Sequence, residues 1–261
     1  MNVLIANAWN EYHSFQQHDF VVRPSIPILF FGDSNQYMQS GLKVITVGLN
    51  PSKSEFPGFD KPDPDPFMRF EDARNVYPAI LNGQNYSAYI DALNNYFRNK
   101  PYNWFRCFEP ILQGLECSYY GKPTNAALHT DLCSPLATTP TWSRLSNDAR
   151  EKLKDSGVTL WHKLMESLAP DVVILSVARQ HLSKIMFDVV EPWTPFFKTL
   201  QTKDGRARKK PYVVEIQRVQ LTATKTAILV FGEAANTPFG TVSNPDKARI
   251  GAAVGRRLHG G

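Results

Sequence analysis

Val44-Ile45-Thr46-Val47-Gly48-Leu49-Asn50-Pro51-Ser52 joins a β-branched apolar run to a glycine, then holds one asparagine between that glycine and a proline. β-Branched side chains suit a pleated, buried strand, and a short continuous run is what a strand covered on both faces looks like. Gly48 permits a sharp exit from the strand. Pro51 fixes its own φ and drives Asn50 towards an extended conformation. The stretch therefore predicts a buried strand that aims an uncharged amide from its C-terminal end, where α/β proteins place their chemistry.

Outward from this stretch, residues 1–40 are aromatic and dense in turn signals and read as an irregular lead-in packed on the core. Residues 51–82 carry Phe56-Pro57-Gly58-Phe59 and Asp63-Pro64-Asp65-Pro66-Phe67 and read as a long ordered loop, a kind that is usually functional. Asn85 to Asn99 has helical spacing through Tyr89, Leu93, Tyr96 and Phe97, and Trp104 to Leu115 reads as a second helix. Asn125 to Asp131 is a second strand, broken by Ser134-Pro135. A helix from Ser146, its N-cap, to Leu168 follows, then a buried strand over Asp171–Val177 and a helix over Ala178–Phe187. Tyr212–Leu221 and Lys225–Phe231 read as a closing antiparallel pair, and Lys247–Leu258 as a final basic helix. Strands alternating with helices predict one α/β domain over residues 1–261, a three-layer α/β/α sandwich with a largely parallel central sheet.

Composition narrows the function classes. With 261 residues and 43% hydrophobic content the chain can bury a substantial core. No run approaches the ~18 apolar residues of a membrane helix. Met1-Asn2-Val3-Leu4 does not open a basic-then-apolar leader, so a cytoplasmic monomer with no membrane partner is expected. Cys107, Cys117 and Cys133 are odd in number and lack Cys-x-x-Cys spacing, which argues against a disulfide framework or a structural zinc. Asp60, Asp63 and Asp65 with Glu71 and Asp72 could suggest magnesium, but proline at every second position over Pro62–Pro66 fits an extended solvated loop better, so no metal is expected. The net charge of +5 is concentrated between Lys198 and Tyr212, where Lys198, Lys203, Arg206, Arg208, Lys209 and Lys210 stand against Asp204 alone. That segment, with a turn signal at Asp204-Gly205, reads either as a solvated loop or as a loop that touches a phosphate backbone.

If the sheet is mostly parallel, its strand ends share one rim. They carry Asn50-Pro51-Ser52, Thr130-Asp131-Leu132-Cys133-Ser134-Pro135, Ser176-Val177-Ala178-Arg179 and Glu233-Ala234-Ala235-Asn236-Thr237-Pro238-Phe239-Gly240. No Ser-His-Asp set, Gly-Lys-Ser/Thr phosphate loop or Gly-x-Gly-x-x-Gly occurs among them. Chemistry by a strong nucleophile is thus poorly supported, whereas chemistry by a positioned water stays open. Gly48-Leu49-Asn50-Pro51-Ser52 after a buried strand resembles the first motif of the uracil-DNA glycosylase superfamily, in particular its Gly-x-Asn-Pro-Gly branches. The aromatic loop after it and the strand ending in a polar residue are similar to that family as well. The chain departs from the pattern in three places: Ser52 stands for the usual Gly, Asp131 for the usual base-reading Asn, and Asn236-Thr237-Pro238-Phe239-Gly240 for the second motif, His-Pro-Ser.

The resemblance implies a DNA glycosylase that flips a base and hydrolyses its bond to deoxyribose, with DNA as partner and no cofactor. Asn50 would hold the attacking water and Asn236 would assist from the last strand's turn. Gly48, Leu49, Pro51, Ser52, Phe70, Asp131 and Thr237 would line the substrate, with Phe70 stacking on the base. Lys53, Arg206, Arg208, Lys209, Lys210 and Lys247 would contact the DNA backbone. A carboxylate accepts only, which suits the N4 amino group of cytosine better than the face of uracil. Asp131 therefore directs the expectation to a modified cytosine, in defence against phage. Uracil or mismatch repair, a catalytically silent nucleic-acid-binding module and a nucleoside hydrolase are the alternatives.

Overall fold

The computed structural model describes residues 1–57, 65–75, 85–121 and 123–259, and these form an α/β structure. The strands are β1 (Val44–Gly48), β2 (Cys117–Ser118), β3 (Asn125–Asp131), β4 (Val172–Leu175), β5 (Asp188–Gln201), β6 (Ala207–Thr222) and β7 (Lys225–Gly232). They make one seven-stranded sheet in the order β2-β3-β1-β4-β7-β6-β5. β2 pairs parallel with β3, and β4 lies parallel between β1 and β7, with Val44 beside Val172 and Val172 beside Ile228. Every residue of β1, β3 and β4 is buried. That is why β1 and β4 read as nearly continuous apolar runs rather than alternating ones, whereas β3 is buried although Asn125, His129, Thr130 and Asp131 are polar.

The far side of the sheet differs. β6 runs antiparallel to both β7 and β5, so the closing pair expected from the sequence is present but extended by a long outer strand that the sequence reading lacks. Pro192 and Pro195 hide β5, since proline removes a ladder donor and is confined to edges and bulges. β5 is such an edge, with register shifts between Val189 and Glu191, Glu191 and Thr194, Pro195 and Phe197, and Thr199 and Gln201. The basic segment is accordingly the turn and opening of a hairpin, not a free loop.

The chain groups into two compact units. The first comprises Met1–Asn35, Gly48–Tyr102 and His129–Leu168, and the second Gln36–Val47, Asn103–Leu128 and Ala169–Gly261. Residues 1–40 are more regular than expected. They contain helix α1 (Asn2–Phe15), whose Leu4, Ile5, Ala8, Trp9 and Tyr12 are buried at helical spacing, and helix α2 (Ser34–Gln39). In the first unit lie also α3 (Asn85–Asn94) and α5 (Asn147–Leu168), against which α1 packs. Ser146 caps α5 as expected, its Oγ accepting from the Ala149 N–H at 3.1 Å. In the second unit α4 (Glu109–Gln113) packs on α6 (Asn244–His259). The helix expected over Trp104–Leu115 is divided into a 3-10 turn at Asn103–Cys107 and α4, with Pro110 in the first turn of α4, where its missing N–H costs nothing. Ala178–Phe187 yields only a 3-10 segment, Arg179–Lys184. Of the long loop, Lys53–Glu55 and Glu71–Asn75 are 3-10 turns, while Gly58, Phe59, Asp60, Asp63 and Pro64 lie outside the described residues.

Candidate active site

Asn50 sits in the first unit on a turn stitched to the segment after β3. The Leu132 N–H donates to the Gly48 carbonyl at 3.0 Å, Cys133 to Leu49 at 2.8 Å, Thr138 to Pro51 at 3.1 Å, and Lys53 back to Thr138 at 3.2 Å. The Asn50 amide nitrogen donates to the Pro51 carbonyl at 2.8 Å, the Leu136 carbonyl at 3.2 Å and Thr138 Oγ1 at 2.8 Å. Thr138 Oγ1 gives its own proton to the Pro140 carbonyl, so it can only accept from Asn50. With carbonyl oxygens on that side, the orientation of the amide is decided: the nitrogen faces the protein. Among the described residues the Asn50 Oδ1 has no donor, and the side chain is half-buried. A carbonyl oxygen held this way is a fixed acceptor for an O–H from outside.

The bracing continues behind the turn. Leu136, which receives Asn50, donates its N–H to Ser134 Oγ at 3.1 Å, and that hydroxyl donates to Glu11 Oε1 of α1 at 3.3 Å. Glu11 stands at a cleft of about 420 Å³ on α1 and α5, with Asn7, Asn10, Ser14, Ser156 and Lys163. Burial pushes its carboxyl up to about 7, against the pull of the Ser134 and Ser156 hydroxyls. On the other flank α5 meets Cys133 and Ser134 closely: a Cβ on Gly157 would come within 2.1 Å of the Cys133 carbonyl oxygen.

Asp131, at the end of β3, is buried against Gly48. A Cβ at Gly48 would lie 2.5 Å from Asp131 Oδ1 and 3.0 Å from His129 Nε2, so glycine here serves close approach as well as the exit from the strand. His129 Nε2 is 3.8 Å from Asp131 Oδ1. Burial pushes the Asp131 carboxyl up, and His129 opposes it. The sequence reading misses the neighbouring Glu55, which is wholly buried. Desolvation raises it to about 7, the hydrogen bond from Tyr96 and the charge of Arg69 opposing, and the charge of Asp131 adding to the rise. One signal for it exists: Ser52-Lys53-Ser54-Glu55 has the spacing of a capping box. Ser52 does act as the cap, accepting from the Ser54 N–H at 3.2 Å, but Glu55 turns to Tyr96 instead of closing the box.

Phe70 is not open for stacking. It is fully buried, stacked on Phe56 with centroids 5.3 Å apart and packed against Tyr96 at 5.1 Å. In this structure it is a core aromatic, because a ring of that size gains most from complete burial. Leu49 and Ser52 are half-buried, Pro51 is buried and Lys53 is exposed.

The remaining site candidates belong to the second unit. Asn236 is exposed on the turn after β7, and Thr237 closes that turn by accepting from the Gly240 N–H at 2.9 Å. The turn is held from below by Ser176, which donates to the Gly232 carbonyl and accepts from the Phe239 N–H, both at 2.9 Å. Lys247 corrects its expected role. It is buried, its ammonium donates to the Cys107 carbonyl at 3.0 Å and the Pro238 carbonyl at 3.4 Å, and desolvation lowers its pKa. It therefore pins the turn and does not reach a phosphate. Arg208 is likewise engaged, with Gln201 through Nε at 2.8 Å and with the Thr241 carbonyl, while Arg206, Lys209 and Lys210 are exposed.

Of the carboxylates weighed for magnesium, Asp60 and Asp63 lie outside the described residues, Asp65 pairs with Arg74, and Asp72 accepts from Asn95 at 2.9 Å. Among the described residues no three His, Cys, Asp or Glu side chains are grouped to hold a metal ion, and no helix is long and apolar enough to cross a membrane. No family model, curated protein or solved structure matches the chain.

Proposed function

We propose that this protein is a monofunctional DNA glycosylase of the uracil-DNA glycosylase type, on a three-layer α/β/α fold, and that its substrate base is a modified cytosine. The observation that carries the reading is the Asn50 amide, bound through its nitrogen and left with its carbonyl oxygen as a fixed acceptor. Cleavage of a deoxyribose C1′–N bond passes through an oxocarbenium-like sugar, as in glycoside hydrolysis. So electrophilic a centre needs a water in place more than a strong base. Asn50 Oδ1 accepts a hydrogen bond from that water. The bonding pair of C1′–N leaves with the base, the water oxygen bonds to C1′ and gives one proton to solvent, and the departing base anion takes a proton from solvent. The products are an abasic site and the free base.

Asp131, when ionised, accepts from the N4 amino group of cytosine, and a substituent such as hydroxymethyl or its glucosylated form would separate the target from ordinary cytosine. Such a base marks phage DNA, which makes defence the favoured role over uracil or mismatch repair. The test is incubation with duplexes carrying uracil, 5-hydroxymethylcytosine or glucosylated hydroxymethylcytosine, followed by alkali. Strand breaks are expected with a modified cytosine, and Asn50→Ala is expected to abolish them. No breaks with any base would defeat the proposal, and undiminished excision of the same base by Asp131→Asn would defeat its cytosine part.

A second reading has one observation in its favour: Asp131 and Phe70 are both covered, as in a nucleic-acid-binding module without catalysis. Salt-dependent DNA binding with no abasic product would establish that reading, and activity on free nucleosides would replace both.

A further inference from the structure

The cleft between α1 and α5 holds a buried carboxyl with no protein cation set against it. Glu11 is only 7% exposed, and its partners are the Ser134 hydroxyl at 3.3 Å and the Ser156 hydroxyl. A glutamate this deeply buried is as a rule paired with a cation. Among the described residues Glu11 is given hydroxyls alone. Desolvation has pushed its carboxyl up to about 7, so a cation that arrives there meets a group ready to ionise. The walls add further acceptors. Ser14 Oγ gives its proton to the Asn10 carbonyl at 2.9 Å, and Thr159 Oγ1 gives its own to the Asp155 carbonyl at 3.0 Å. Each hydroxyl then has only lone pairs left to offer. Leu160 is buried and Phe15 half-buried, and they supply the apolar part of the lining. Lys163 is the lining's one cation among the described residues, and it is exposed.

These features narrow the occupant. A calcium or magnesium ion takes six or more oxygen ligands, mostly charged or rigidly placed, and a single carboxyl lines this cleft. A simple anion would face Glu11 across a desolvated floor, and a polyamine would face Lys163. A molecule with a donor cation at one end, an anion at the other and an apolar stem between them satisfies every wall. Ammonium and guanidinium groups make short, charge-assisted hydrogen bonds to a carboxylate. The cleft's volume of about 420 Å³ lies within the range of small-molecule sites. We propose that the α1–α5 cleft binds a small zwitterionic amine of amino-acid type. Its ammonium or guanidinium meets Glu11, its stem lies along Leu160 and Phe15, and its carboxylate meets Lys163. This site goes beyond base excision and does not depend on it. Its link to the rest of the molecule is Ser134, whose hydroxyl donates to Glu11 and accepts from the N–H of Leu136, the residue whose carbonyl holds the Asn50 amide.

The test uses 6-aminohexanoate, which carries an ammonium and a carboxylate at opposite ends of an apolar chain, with hexylamine and hexanoate as controls of one charge. Calorimetric titration of the full-length protein is done at pH 8, above the value near 7 to which Glu11 is raised. Saturable one-site binding of 6-aminohexanoate is expected. Hexanoate should bind about tenfold or more weakly, the scale of losing a charge-assisted contact, and hexylamine about twofold to fivefold more weakly, as for an exposed ion pair. Glu11→Gln should weaken 6-aminohexanoate by about tenfold or more. In Lys163→Ala, 6-aminohexanoate and hexylamine should bind alike. Thr159→Trp fills the cleft from an exposed position and should abolish binding. No saturation by 6-aminohexanoate at millimolar concentrations would overturn the proposal, as would binding unchanged by Thr159→Trp. Hexanoate binding as tightly as the zwitterion would remove the cation from Glu11, and a preference over hexylamine that survives Lys163→Ala would remove the carboxylate from Lys163. Either result overturns the zwitterion. Should Glu11→Gln fail to fold, the two variants at exposed positions still decide the matter.

Discussion

The turn at Asn50 and the tip of the β5–β6 hairpin are both polar, yet the fold treats them in opposite ways. Around Asn50 each backbone group from Gly48 to Lys53 named above has a partner in the segment 132–138, and the amide itself has three acceptors. At the hairpin tip the ladder is broken, and apart from Arg208 the cations project into solvent. A group that must sit within a fraction of an ångström of a reacting atom needs a rigid shell. A group that meets a smooth polyanion needs only charge and reach. Under the proposed function, the bracing at Asn50 suits a group that positions a water, and the exposed cations of the tip suit contact with a polyanion.

The comparison predicts a graded set of effects. Asn50→Ala should lower the excision rate by about 10²-fold or more, the scale of losing a positioning contact, and should cost about 1–2 kcal/mol of stability through the hydrogen bonds it removes; an unchanged rate in a single-turnover assay would put the chemistry elsewhere. Glu55 should govern how stability varies with pH. Its pKa is raised from 4.5 to about 7, so between those values the folded chain holds a proton that the unfolded chain has lost. Stability must then fall as pH rises through that window, by up to about 3 kcal/mol. Urea unfolding at pH 5 and pH 7.5 should show the fall in the wild type and a smaller one in Glu55→Gln, the residue coming from Glu11.

Gly48→Ala drives a methyl against Asp131 and His129 and should cost about 1–3 kcal/mol in the same denaturation experiment. Ser134→Ala cuts the link from Glu11 to Leu136 and should cost about 1 kcal/mol. It should also slow excision more than an equally destabilising change on the outer face of α5. At the other extreme, Lys209→Ala with Lys210→Ala should leave unfolding within about 0.5 kcal/mol of wild type, as solvated surface changes do. A large loss there would mean that the tip is braced after all.

The parts legible in the sequence are those whose burial writes itself into a run. β1 and β4 are covered on both faces and appear as apolar stretches; β3, with only Ala126, Ala127 and Leu128 apolar, still has the bounds read from sequence. β5 is obscured by its prolines, which an edge strand tolerates and a pattern reader takes for loop. Residues 1–40 hide α1 because its apolar spacing is interrupted by Asn and His rather than by turns. Asn50 and Asp131 stand out from local context, whereas the capping-box spacing of Ser52 and Glu55 points to a cap, and the buried pairing of Glu55 with Tyr96, distant along the chain, shows only in the fold. Lys247 could have been read correctly: it shares a helix face with Ile250 and Val254, both buried, so its stem was bound for the interior.

The register shift between Thr199 and Gln201, where Leu200 faces Arg208 to Pro211, also separates the growth of the tip from the rest of the sheet. From Val214↔Gly232 to Gln220↔Thr226 the β6–β7 ladder runs without a shift, so residues added or removed beyond Tyr212 need not slip any inner strand. The hairpin end is thus a place where the molecule can acquire a longer, shorter or differently charged arm without renegotiating its core, and where a reporter group can be grafted with little effect on folding.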